Sequence, residues 1–186
     1  MCGIVGAICN RDVFGILIDG LKRLEYRGYD SAGLSLIDAN SCLNTQKTIG
    51  RVADLEDLFN GEIPNGGLGI AHTRWATHGV PSSANSHPHT SGSISVVHNG
   101  IIENHNLLKK ELRDRGAILS SETDSEVIAH LIEFYSSETG SLKEAVNKTL
   151  SRVEGAYAIC VISKDYPDNM IGARSGSPLV IGLGIG

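Results

Sequence analysis

Cysteine stands second in this chain, directly behind the initiator methionine. Initiator methionine is commonly trimmed when the next residue is small, and trimming here puts a thiol and an α-amine on one residue. A free α-amine titrates at about pH 8 and a free thiol at about 8.5, so at neutral pH each assists the other's deprotonation. The result is a nucleophile that carries its own base. By position alone, the favoured reading is that Cys2 simply begins a buried strand.

Other polar residues gather in loop-like segments that a core does not require. They are Tyr26–Gly33, His72–Gly79 with Asn85–His89, and His98–Asn104. Five of the seven histidines fall between residues 72 and 98. The His87-x-His89 spacing suits a metal, but the segment offers no accompanying cysteine or carboxylate. A hydrogen-bonded scaffold is the preferred reading, with no metal and no cofactor expected. Asn99-Gly100 is also the commonest two-residue turn between strands.

The elements that must position these groups read as follows. An apolar strand covers 2–9, and Phe14, Leu17, Ile18, Leu21 and Leu24 place a helix over 13–26 that ends before Gly28. Strands at 32–37 and 43–49 are joined through Asp38-Ala39-Asn40-Ser41. A short helix covers 52–59, Pro64-Asn65-Gly66-Gly67 marks a turn, and strands follow at 68–74 and 93–98. A helix over 105–115 is capped by Asn104 and stopped by Gly116. The capping boxes Thr123-x-x-Glu126 and Ser141-x-x-Glu144 open helices to 136 and 153, making Thr123 or Asp124 an N-cap. Strands at 156–163, 169–174 and 179–185 complete the chain. Strands in adjacent groups, with helices singly or in pairs, favour an α+β fold of antiparallel sheets.

The 186 residues fit one domain with a sizeable core, and 41% apolar with 20% charged residues reads as globular. A net charge of −5 without basic runs excludes a nucleic-acid stripe or a membrane-surface patch. No apolar stretch approaches the roughly 20 residues that span a bilayer. The N-terminus lacks a basic n-region, so a cytoplasmic location is expected. Cys2, Cys9, Cys42 and Cys160 show no C-x-x-C spacing and should remain thiols. The uncapped end, Leu179 to Gly186, reads as a cut from a longer protein.

An ordered set of motifs resembles the glutaminase domains of class II glutamine amidotransferases, and within them the glucosamine-6-phosphate synthases. The motifs are Cys2-Gly3-Ile4-Val5-Gly6, Leu24 to Gly33, His72 to Gly79, Val97 to Asn104, Ser121 to Ile128 and Ser175 to Leu179. Phosphoribosyl pyrophosphate amidotransferases are similar too, but Glu25 to Asp30 and Trp75 favour the sugar-phosphate branch. The resemblance implies an N-terminal nucleophile hydrolase fold, a four-layer αββα sandwich, over residues 2–186. It also implies that the sugar-isomerase domains, which bind fructose 6-phosphate in a homodimeric enzyme, lie outside this chain. The implied activity is hydrolysis of L-glutamine to glutamate and ammonia through a Cys2 thioester. Asn99 and Gly100 match the oxyanion donors. Arg74 matches the partner of glutamine's α-carboxylate, and Asp124 that of its α-ammonium. Trp75, Thr77 and His78 match the rest of the pocket, and Arg27 and Gly28 a loop beside Cys2. Asp30, His72, His87 and His98 receive no chemistry.

Overall fold

A computed structural model describes residues 2–59, 61, 65–75 and 79–184. Two four-stranded antiparallel sheets lie face to face. One has the order β1 (Gly3–Ile8), β4 (Leu68–Arg74), β2 (Ser31–Ile37), β3 (Leu43–Ile49). The other has the order β5 (His89–Ser91), β6 (Ile94–Ile102), β7 (Gly155–Ser163), β8 (Met170–Ser175). Helices α1 (Phe14–Leu24) and α2 (Val52–Asp57) cover the first sheet. Helices α3 (His105–Asp114), α4 (Glu126–Thr139) and α5 (Leu142–Leu150) lie on the second sheet's side.

Period-two alternation builds these layers. Ala32, Leu34 and Leu36 of β2 face α1, which returns Phe14, Leu17, Ile18 and Leu21 at helical spacing. Ile94 and Val96 of β6 face α4 and α5. The opposite faces meet between the sheets, where Ile37, Leu68, Ile70, Val97, Cys160 and Ile162 form a third apolar cluster. Ser95 Oγ donates to Ser35 Oγ across this layer at 2.7 Å, so the polar residues there are paired.

Four expectations need correction. The helix expected from Thr123 begins at Glu126 with Ser125 at its N-cap, and the Glu126 carboxylate turns back to Ser120 and Ser121 instead. Asn104 stands at the N-cap of α3, but its side chain bonds Arg152 O and Glu154 N rather than the helix amides. Residues 179–184 form no strand; after the single bridge of Gly176 to Tyr157 the chain leaves the sheet. The short β5 was not expected, and β6 extends through Ile102, so Asn99-Gly100 lies within a strand rather than at a turn.

Candidate active site

One end of the inter-sheet layer is polar, and strand periodicity puts it there. Ile70 faces the layer, so His72, two residues on, does as well. Val97 faces it, and so does Asn99. Ile4 packs against the same cluster and lies opposite His72, which brings Cys2 to this end from β1. The Asn99 side chain confirms the convergence. Its Nδ2 donates to the Cys2 carbonyl at 3.4 Å, and its Oδ1 meets His72 Nε2 at 2.8 Å.

The thiol is held by backbone. Trp75 N–H donates to Cys2 Sγ at 3.2 Å, and the thiol faces Trp75 O at 3.5 Å. Gly28 supports this contact from below: with φ +90° it takes a conformation that side chains avoid, and a Cβ there would sit 2.5 Å from the indole Cζ3. The Arg27–Gly28 turn is thus the seat of the Trp75 ring.

A cavity of about 790 Å³ opens over Cys2, and Arg74, Asn99, Gly100 and Asp124 also line it. Gly100 has φ +138°, and a Cβ would stand 2.0 Å from Ala156 O, so only glycine lets β6 pass β7 here. Arg74 is 4% exposed; its Nη2 donates to Gly79 O at 2.9 Å and its Nη1 lies 3.5 Å from Asp30 Oδ1. A buried guanidinium on a cavity wall favours an anion in that cavity. Asp124 is also buried, with Oδ2 accepting the Ile102 N–H at 2.7 Å and Oδ1 accepting from Ser125 Oγ at 3.3 Å. Ser125 Oγ also lies 2.7 Å from His98 Nδ1, which links Asp124 to the buried histidines. One cavity therefore presents a cation, an anion, a thiol and an amide, which is the complement of an amino acid with a reactive carbonyl.

Behind Asn99 the histidines pack as rings. The His87 centroid lies 4.2 Å from that of His72, 4.6 Å from His89 and 6.4 Å from His98. Gly33 allows this, because a Cβ there would stand 2.1 Å from His87 O. Burial lowers His72 and His98 to about 4, His89 to about 3, and His87 well below 6.5. All four are neutral at pH 7. Among the described residues, no three His, Cys, Asp or Glu are grouped to hold a metal ion.

Cys2, Asn99, Gly100, Arg74, Trp75 and Asp124 therefore come together at one cavity, with Arg27 and Gly28 beside it; Thr77 and His78 lie outside the described residues. Sequence reading assigned no role to Asp30, to His72, or to Ser177, Pro178 and Val180, which line a further wall. The signal for that wall was the Ser175–Leu179 motif; for His72 it was the alternation of β4.

Comparison with known proteins agrees with this geometry. Residues 72–181 match the family model described as a glutamine amidotransferase domain. The chain belongs to this family. The glutamine amidotransferase domain here is 55% identical, over all 186 residues, to glutamine–fructose-6-phosphate aminotransferase (isomerizing) of Vibrio vulnificus. The same enzyme of Shigella flexneri is likewise 55% identical. The chain spans 30% of the length of either relative. Among solved structures, glutamine phosphoribosylpyrophosphate amidotransferase from B. subtilis, complexed with ADP and GMP, superimposes with a TM-score of 0.77. It is 30% identical, and the match covers 94% of this chain and 37% of that one. The fold is that of the N-terminal nucleophile hydrolases, with two antiparallel sheets between helical layers.

Proposed function

We propose that this domain hydrolyses L-glutamine to glutamate and ammonia, with Cys2 as nucleophile once Met1 is removed. The observation that carries this reading is the convergence of Cys2, Asn99, Arg74 and Asp124 on one cavity. Glutamine's α-carboxylate takes the Arg74 guanidinium, and its α-ammonium takes Asp124. That pairing aims the side-chain amide at Cys2 Sγ. As sulfur bonds to the carbonyl carbon, the thiol proton passes to the Cys2 α-amine, and the carbonyl electrons move to oxygen. Asn99 Nδ2 and the Gly100 N–H stabilise that oxyanion. The α-amine returns its proton to the leaving nitrogen, the C–N bond breaks, and ammonia departs from a γ-glutamyl thioester. Water cleaves the thioester and restores the thiol.

In the longer protein, the ammonia serves amination of fructose 6-phosphate by isomerase domains beyond this chain, in a cytoplasmic homodimer. The relatives' name and the 30% coverage support the amination by further domains. Among the described residues, no helix is long and apolar enough to cross a membrane.

The test is glutamate release from L-glutamine by protein beginning at Cys2, beside a Cys2→Ala control. Turnover should fall on the order of 10⁴-fold or more in the control, as when other covalent nucleophiles are removed. Equal rates in the two proteins would refute the assignment.

A further inference from the structure

Asn99 can serve an oxyanion only if its amide presents nitrogen, not oxygen, toward Cys2, and the two ends of a carboxamide have nearly the same shape. What decides its orientation is therefore part of the site. The Cys2 backbone oxygen accepts hydrogen bonds but cannot donate them, so the Asn99 atom 3.4 Å from it is the NH₂ group. The opposite atom is then Oδ1, which cannot donate either. It lies 2.8 Å from His72 Nε2, so that nitrogen must carry hydrogen.

We infer that His72 is a positioning residue: it is held as the neutral Nε2–H tautomer and fixes the Asn99 amide with its NH₂ toward the nucleophile. The inference rests on the glutaminase reading above and extends it to a residue that touches neither thiol nor substrate. His72 is 1% exposed and sits in β4 opposite Ile4 and Gly33, so its ring has one seat. The stacked His87 ring, 4.2 Å away, closes the other side. Among the described residues Nδ1 makes no hydrogen bond of ordinary geometry, and although the His98 backbone lies near the ring, the 2.8 Å contact to Asn99 is its short side-chain tie. If the proton moved to Nδ1, the bare Nε2 would call for a donor, and Asn99 would turn its oxygen toward Cys2. Such a site would repel the oxyanion instead of holding it. The role differs from that of an acid or base, because the His72 proton never leaves the ring during turnover.

The experiment is steady-state glutaminase kinetics on the chain beginning at Cys2, as a double-mutant cycle of His72→Leu with Asn99→Ala. His72→Leu should lower kcat by on the order of 10- to 100-fold, with KM for glutamine little changed, because the loss falls on the oxyanion. In the Asn99→Ala background the same substitution should cost less than about threefold, since there is no amide left to orient. An equal loss in both backgrounds would show that His72 acts on the fold and would overturn the inference. A second pair decides the matter if His72→Leu does not fold. The side-chain nitrogen of His72→Gln reaches the place of Nε2, whereas that of His72→Asn reaches only the place of Nδ1. The Gln variant should exceed the Asn variant in kcat by about tenfold or more; equal rates would also overturn it. Failure of the underlying glutaminase reading is seen separately, as a wild-type rate equal to that of Cys2→Ala.

Discussion

The space between the two sheets has two ends built on opposite principles. At one end Ile37, Leu68, Ile70 and Ile162 meet, and burial alone holds them together. At the other end β4 and β6 deliver His72 and Asn99 beside Cys2, which precedes β1, and these cohere through directed contacts. Apolar contact is non-directional, so the first end tolerates a lost methylene at modest cost. A hydrogen-bonded end has no such slack, because each buried polar atom left without a partner is penalised. Stability therefore comes from along the layer, while chemistry is confined to its mouth.

That contrast can be broken by acid. The four buried rings are neutral in the fold, with His72 and His98 lowered to about 4 and His89 to about 3 from an ordinary 6.5. Between about pH 6.5 and 4 the unfolded chain binds more protons than the folded one, so stability present above that window is lost as pH falls through it. Each ring contributes a slope of at most about 1.4 kcal/mol per pH unit, and four together as much as about 5. Denaturant midpoints measured from pH 7.5 to 4.5 should show this decline. A flat profile would mean that the rings are not kept neutral.

Substitution at the mouth comes next. Asn99→Ala should cost about 2.7–4 kcal/mol of transition-state stabilisation, seen as a fall in kcat of about 10²–10³, and should also lower the melting temperature, because His72 Nε2 loses its partner. Asp124→Asn keeps an oxygen for the Ile102 N–H but removes the negative charge. KM for glutamine should rise roughly 10- to 100-fold, the worth of a charge-assisted bond, with the fold retained. The smallest effect belongs to the apolar end. Ile162→Val, at a fully buried site, should lower stability by about 0.5–1.5 kcal/mol and leave both kinetic constants within twofold. If it changed kcat as strongly as Asn99→Ala, the two ends would not be separate.

Cysteine labelling gives a further contrast. Burial pushes the Cys160 thiol up to about 12, so it stays protonated inside the layer. A glutamine-like electrophile should modify Cys2 and leave Cys160 untouched in the folded protein. Mass spectrometry of the peptides checks this, and equal modification of both would place Cys2 outside the reactive site.

Local elements were legible in the sequence where local forces make them. The alternation of β2 and β3 and the 14, 17, 18, 21 spacing of α1 are read within a dozen residues, and all three elements form within two residues of the expected bounds. The start of α4 was misread because Thr123 and Asp124 have distant partners. Thr123 Oγ1 bonds His89 Nε2, and Asp124 takes the Ile102 N–H. A capping rule sees only the neighbouring amides. Residues 179–184 carry strand-like residues, but no neighbouring strand completes the ladder, so alternation there produced none.

By itself the sequence determined that Cys2 follows a removable methionine, that Asn99 adjoins Gly100, and that these motifs occur in one family's order. Residue type and chain order are enough for that, since they specify which chemistry is available. Only the tertiary structure decided that Trp75 N–H meets the Cys2 sulfur, that Gly28 seats the indole, and that His72 orients Asn99. Those contacts join residues 27 to 73 positions apart, across strands and between sheets. Their geometry depends on register and layer spacing, which no local pattern contains.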